Sequence, residues 1–298
     1  MKIVVCAKII KGEINPFDAC ALETALRLSD DVTVMSMAPP SAINELTRLT
    51  RLGAKVISIT DSAYAGSDTL ATSYILSCAI NKIDYDLIIC GRQTIDGDTA
   101  QVGPSLATRL NINLITNVLD VSLNDNTLSC KTRIKDETCT LPALITVERI
   151  NELRFPSIFS KAGTPMLWNN IDLKADLSKC GLNGSPTQVL KTFENEKGKR
   201  HCKFISFHEL DSLIDDLLKK EKTGIEFSPC KTKLKSVWAI GKEVEQEAFA
   251  IAENVIVLDE KDPFKIAEIA RKDCPDVILW SADLWGRKNA PIVASLLE

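Results

Sequence analysis

Apolar residues in this chain gather in short runs separated by longer amphipathic stretches, and the alternation starts at the first residues. Runs at Lys2–Ala7, Asp31–Ser36, Lys55–Thr60 and Tyr85–Cys90 predict buried strands. The stretches between them place apolar residues at helical spacing. One helix is expected over Pro16–Leu28, with Asn15 as its cap and Pro16 tolerated in the first turn. A second is expected over Asp68–Ile80, capped by Ser67 or Asp68. Successive strand–helix units predict a parallel sheet that binds ligands at the carboxyl ends of its strands.

The pattern changes after Asn117. Val118–Leu123 and Thr127–Ile134 flank the turn residues Asn124-Asp125-Asn126, which predicts a hairpin, and Leu141–Val147 reads as a further strand. Lys191–Lys203 is charged and weakly patterned, as a linker would be. Phe207–Lys219 reads as an amphipathic helix followed by a solvated charge run, Lys219-Lys220-Glu221-Lys222. A second α/β pattern begins at Ser236. Its strands are expected at Val237–Ile240, Val255–Leu258 and Val277–Trp280, and its helices at Glu243–Ala252, Pro263–Lys272 and Asn289–Leu296. The expected organisation is a main domain over 1–190, a connecting arm over 191–235 and a small α/β unit over 236–298.

Composition narrows the function classes. A chain of 298 residues with a net charge of −4 and only scattered basic residues is expected to pack as a globule and to bind nucleic acid poorly. No apolar run reaches the length of a transmembrane helix, so no membrane insertion is expected. Met1–Ala7 turns polar too soon for a signal peptide and reads as the first strand. The 10 cysteines include no C-x-x-C pair, and Cys6, Cys78 and Cys90 lie in apolar runs. Reduced thiols in a cytoplasmic compartment are expected, with no metal site. The 2 histidines, His201 and His208, fall in a charged stretch and read as surface residues. No positioned nucleophile and base can be named, so hydrolysis is the least supported class.

The candidate chemistry lies where the fourth strand gives way to a helical pattern over Ser105–Leu110. There the chain reads Gly91-Arg92-Gln93-Thr94-Ile95-Asp96-Gly97-Asp98-Thr99-Ala100-Gln101-Val102-Gly103-Pro104. A strand-to-helix turn of this kind offers free amides and the positive end of a helix dipole to a phosphorylated ligand. Gly91, Gly97 and Gly103 are expected to allow sharp turns and close ligand approach. Asp98 and Thr99 are expected as N-caps. Neither a P-loop nor a G-x-G-x-x-G pattern is present, which speaks against nucleotide hydrolysis and ordinary NAD binding. Asp96 and Asp98 are expected to cap amides or accept from ribose hydroxyls, leaving Thr99, Gln101 and the glycine amides for phosphate. A capped, ligand-free polar loop is the plain alternative.

This run resembles the signature of the electron-transfer flavoprotein beta subunit. Further segments resemble that family in the same order: Asn15-Pro16-Phe17-Asp18 and the helix after it, Val32–Pro39, Asp68–Thr72 and Gly181–Thr187. Together they cover about the first 195 residues. The resemblance implies a Rossmann-like, adenine-nucleotide α-hydrolase-like α/β fold. It also implies a heterodimer with an alpha subunit that passes electrons through FAD, with AMP or a second FAD in the beta-type chain. By position it implies a nucleotide site at Ala7, Asn15, Pro16, Phe17, Asp18, Met37 and Gly91–Val102. Arg92 is a candidate for tuning the flavin or binding phosphate, with a surface salt bridge as the alternative. Asn151–Ala162 resembles the loop that docks flavin-dependent dehydrogenases, with Ile158 as the apolar anchor and Phe159 beside it.

Some positions depart from the family pattern. The first loop, Lys8–Ile14, is short and favours AMP over a second FAD. Ala38 stands where glycine is usual, and Leu153 where proline is. Pro275–Trp280 and Gly286–Pro291 resemble the opening of the alpha subunit, but its FAD-binding domain has no counterpart in this sequence. The expected function is therefore an electron-carrier subunit, not an enzyme that makes or breaks substrate bonds. The alternatives are a non-redox AMP- or ATP-binding module and an FAD-binding subunit of an electron-bifurcating complex.

Overall fold

The computed structural model describes residues 1–189, 206, 209–219 and 233–297. Most of the expected arm lies outside the described residues, as do His201 and His208. The chain opens with β1 (Lys2–Cys6), a small antiparallel pair formed by β2 (Ile9–Ile10) and β3 (Glu13–Ile14), α1 (Pro16–Leu28) and β4 (Asp31–Met37). Next come α2 (Ile43–Thr50), β5 (Lys55–Ile59), α3 (Thr69–Ile80), β6 (Leu87–Gly91) and α4 (Val102–Leu110). A meander of β7 (Asn113–Asn124), β8 (Thr127–Thr132) and β9 (Asp136–Thr140) leads to β10 (Ala143–Val147). After a long loop the unit ends with β11 (Met166–Trp168) and α5 (Asn170–Leu173).

These strands form one sheet in the order β11-β5-β4-β1-β6-β10-β7-β8-β9. The pairs from β11 to β7 are parallel, and β8 and β9 add antiparallel strands at one end. Alternation within each strand feeds two cores. Ile3, Val5, Val34 and Ile89 point to the face covered by α1 and α2. Val4, Met35, Ile57 and Ile88 point to the face covered by α3 and α4. A sheet covered on both faces explains why its central strands read as unbroken apolar runs.

The expected strands and helices are present, with ends shifted by a few residues. Asp68 caps α3, accepting from the Leu70 and Ala71 amides. β9 was not expected: its sequence, Asp-Glu-Thr-Cys-Thr, has no apolar face, which suits an edge strand.

Within the expected arm, α6 (Leu210–Lys219) lies in the expected amphipathic stretch. β12 (Leu234–Ile240), α7 (Glu245–Ile251), β13 (Ala252–Leu258), α8 (Pro263–Asp273), β14 (Val277–Trp280) and α9 (Leu284–Leu297) form the second unit. Its parallel sheet has the order β13-β12-β14. This is the arrangement of β4-β1-β6, with the first strand central and its successors on either side. α9 starts well before the expected Asn289 and carries Pro291 in its interior. It packs against both α8 and α4.

Candidate functional site

β1 and β6 are adjacent and in register, Cys6 opposite Cys90, so their carboxyl ends form one edge. Ala7 follows β1 there; it is buried and donates its amide to the Met35 carbonyl. Pro16 opens α1, and Asn15 stands at the N-cap position. The Asn15 side chain does not cap. It is fully buried and bridges to the signature loop, its Nδ2 donating to the Gln93 carbonyl (2.9 Å) and its Oδ1 accepting from the Ile95 amide (3.2 Å). The expectation of a side-chain cap is thereby corrected: the longer-range partners win because the loop lies directly over the helix start.

Asp18 ties the same elements together from below. Its Oδ2 accepts from the Lys8 amide at 2.8 Å and its Oδ1 from the Gly91 amide at 3.2 Å. Burial pushes its carboxyl up to about 7, against the opposing pull of the Lys8, Asn15 and Gly91 donors. Gly91 is needed because of this contact. A Cβ there would run into Asp18 Oδ1 and stand 2.7 Å from the Phe17 backbone carbon.

The loop differs from expectation in two ways. Gly91, Gly97 and Gly103 do not adopt left-handed backbone; Asp98 (φ 51°) and Ala100 (φ 56°) do. At Gly91 and Gly103 the close neighbours are the protein's own atoms, with Thr146 Cγ2 2.6 Å from a Cβ at Gly103. Asp98 and Thr99 do not cap α4. The helix begins at Val102, ahead of the expected Ser105, and Gln101 takes the N-cap position without a side-chain cap bond. The Gln101 Oε1 accepts instead from the Thr69 hydroxyl (2.9 Å).

Both loop carboxylates are engaged. Asp96 pairs with Lys8 Nζ at 2.7 Å; burial would raise its carboxyl, but the hydrogen bonds from Lys8 and Thr94 and the Lys8 charge together outweigh burial and lower it. Asp98 accepts from Gln93 Nε2, and the Thr94 carbonyl takes the Asp98 amide at 2.9 Å. With the carboxylates occupied and α4 uncapped, the start of that helix presents main-chain donors where negative charge is favoured. This donor set suits a phosphate.

Arg92 is not a simple surface salt bridge. It lies 5.3 Å from the Phe17 ring centroid and bonds the buried Glu148 carboxylate at 3.2 Å. Met37 ends β4, next to β1 on the same edge, and is half-buried against the α3/α4 core. The structure thus brings Ala7, Asn15–Asp18 and the loop together, with Met37 one strand over. Sequence reasoning passed over Lys8 and Glu148 as site residues. Each lies just past a strand end, Lys8 two residues after β1 and Glu148 next after β10, and that position was the available signal.

Ile158 and Phe159 lie elsewhere, on the segment after β10, and are 86 % and 87 % exposed. Glu23 of α1 holds the start of that segment, accepting from the Arg154 amide (3.1 Å), Nε (2.9 Å) and Nη2 (3.0 Å). Arg51, at the C-cap of α2, donates to the Ser157 and Ser160 carbonyls, and Thr50 Oγ1 accepts from the Gly163 amide. Among the described residues, no group of side chains is arranged to hold a metal ion, and no helix is long and apolar enough to cross a membrane.

Comparison with known proteins gives a consistent result. Residues 3–162 match the electron transfer flavoprotein domain. The chain is 37 % identical over 234 residues to protein FixA of Azorhizobium caulinodans, covering 70 % of this chain and 83 % of that one. It is 40 % identical over 197 residues to the electron transfer flavoprotein subunit beta of Clostridium acetobutylicum (61 % and 76 % covered). The caffeyl-CoA reductase-Etf complex subunit CarD of Acetobacterium woodii is 39 % identical over 196 residues (60 % and 75 %).

Proposed function

Because the chain belongs to the electron transfer flavoprotein family, on the side of its beta subunits and FixA proteins, we propose that it is the beta-type subunit of an electron-carrying heterodimer. In this reading it binds an adenine nucleotide, AMP or FAD, and works with an alpha subunit that holds or shares FAD. The pair shuttles electrons between a flavin-dependent dehydrogenase and an acceptor in the cytoplasm. The observation that supports it best is the convergence of Asn15, Asp18 and the loop from Gly91 on one sheet edge, beside the uncapped start of α4.

The chain's own residues bind and position. Ala7 and Met37, at the ends of β1 and β4, would hold the base, a small residue and a soft sulfur suiting a flat ring. The amides at the start of α4 would hold the phosphate. Asn15 and Asp18, which the family pattern places among the nucleotide-site residues, also fix the loop. A bound flavin supplies the redox chemistry, and the protein supplies orientation and electrostatics. The exposed Phe155, Ile158 and Phe159 offer an apolar hook to the dehydrogenase, framed by basic side chains such as Arg154. The reductase complex named for the Acetobacterium relative is consistent with a partner of this kind.

Co-expression with an alpha-type partner, followed by denaturation and identification of the released nucleotides, tests the reading. One FAD with one AMP per heterodimer is the expected result. Two FAD would place FAD in this chain and favour a bifurcating complex. No flavin, with AMP or ATP on this chain alone, would reduce it to a nucleotide-binding module.

A further inference from the structure

The sheet of the second unit has an open edge. β12 pairs in parallel with β13 on one side and β14 on the other, so β13 and β14 are both outer strands. In the first unit the strands that flank β1 are themselves covered, β4 by β5 and β6 by β10. Among the described residues no strand pairs with the outer edge of β13 or β14. The two edges differ. Every residue of β14 is half-buried. β13 runs through the apolar stretch Val255-Ile256-Val257-Leu258, and Ile256 and Val257, on opposite faces, are 44 % and 43 % exposed.

Outer strands of globular proteins are commonly short, charged or interrupted by proline, because their free N–H and C=O groups otherwise template pairing with another chain. The large sheet follows that rule at both ends: β9 carries Asp136, Glu137 and threonines, and β11 is only 3 residues long. β13 has neither charge nor proline from Val255 to Leu258. It is the edge left without protection.

Charge says what fits there. From Glu243 to Asp262 the chain carries seven carboxylates and a single lysine, Lys261. Glu253 stands just before the apolar stretch, and Asp259 and Glu260 follow it. Glu260 has Lys265 at 4.0 Å, whereas among the described residues Glu253 and Asp259 have no basic partner. On α7, which packs against β13, Glu247 Oε2 is buried without a donor. Two copies of this chain joined at β13 would bring like charges together, so a second copy is the wrong occupant. We infer that β13 takes an added strand from another polypeptide: an extended segment, apolar at its centre and basic at its flanks, that pairs with the outer edge and covers Ile256 and Val257. This surface shares no residue with the nucleotide edge and does not depend on what that edge holds.

The probe is a labelled peptide, Lys-Lys-Thr-Val-Thr-Val-Thr-Lys-Lys, set against its counterpart with glutamate in place of lysine. Fluorescence anisotropy on the full chain at fixed ionic strength reads binding, and hydrogen exchange reads its place. The lysine peptide should bind about tenfold or more tightly than the glutamate peptide, and should slow exchange over 252–258 but not in β1, β4 or β6. Val257→Lys puts a charge on the exposed edge and should weaken the lysine peptide about tenfold. Glu253→Lys/Asp259→Lys, both at exposed positions, should reverse the preference to the glutamate peptide, and keeps the test sound if Val257→Lys disturbs folding. No binding, equal affinity for the two peptides, protection outside 252–258, or an unchanged preference in the charge-swapped variant would each overturn the inference. Concentration-dependent dimerisation of the chain alone, with protection over 252–258, would overturn it in favour of self-association.

Discussion

Asp18 shows how one side chain can set the shape of a binding edge. It is 5 % exposed and accepts main-chain amides from two different strand ends, so the path of the loop depends on it. Asp18→Ala would leave the Lys8 and Gly91 amides without acceptors, at a cost on the order of 2 kcal/mol or more by the usual penalty for unsatisfied buried groups. The carboxyl also titrates. Its value of about 7 in the fold exceeds the ordinary 3.8, so folding takes up a proton in between. The stability this contributes is complete below about pH 4 and is lost as pH rises through about 7. Asp18→Asn removes that titration. Melting temperatures of parent and variant should therefore compare more favourably for the parent at pH 4.5 than at pH 7.5. A difference independent of pH would refute the assignment. Gly91→Ala should disturb the same spot sterically, because the Phe17 backbone cannot yield as a flexible side chain would.

At the level of elements, the segment carrying Ile158 and Phe159 is irregular yet held at both ends by helices. The Glu23 carboxylate sits between Arg27 and Arg154. Burial alone would raise it, but the bonds from both arginines outweigh burial and bring it down to about 2. That stabilisation is present above the ordinary value near 4.5 and is lost as pH falls towards 2. Glu23→Gln should cost about 1–3 kcal/mol at neutral pH, discounted because both arginines are about half exposed. Thermal melts should show the penalty shrinking at pH 3; an equal penalty at both pH values would mean that the charge of Glu23 is not the cause. Elements of this fold were legible where burial imposes a pattern. β1, β4, β5 and β6 read as apolar runs, and α1 has the bounds expected from Asn15-Pro16 and its periodicity. β9 half-buries only Glu137 and Cys139 and left no signal. α4 starts at Val102, ahead of the expected Ser105, and Asp98, which looks like a cap, adopts left-handed backbone instead. α9 was started late because Pro291 normally marks a first turn, whereas here it lies inside the helix. The segments of the candidate site lie at the strand ends where the sequence pattern put them. The long-range roles of Asn15 and Asp18 were not legible, because cap chemistry is local while the Gly91 amide lies 73 residues from Asp18 and the Ile95 amide 80 residues from Asn15.

At the scale of the whole molecule, two units of like strand order meet through α4 and α9. Ser105 of α4 is buried there, its hydroxyl directed at the Pro291 carbonyl at 3.5 Å. Ser105→Arg places a long cation in that contact. Hydrogen exchange should then accelerate across 284–297 while β1, β4 and β6 keep their protection; unchanged exchange in α9 would show that the contact does not hold the helix. α4 starts at the signature loop and ends against the neighbouring unit, so one short helix takes part in both events. Thermodynamic reciprocity follows. Any ligand that holds the loop more tightly in the joined arrangement strengthens the junction by the same factor, and loosening the junction weakens the ligand equally. The affinity of the loop thereby becomes a gauge of how the two halves of the chain are coupled.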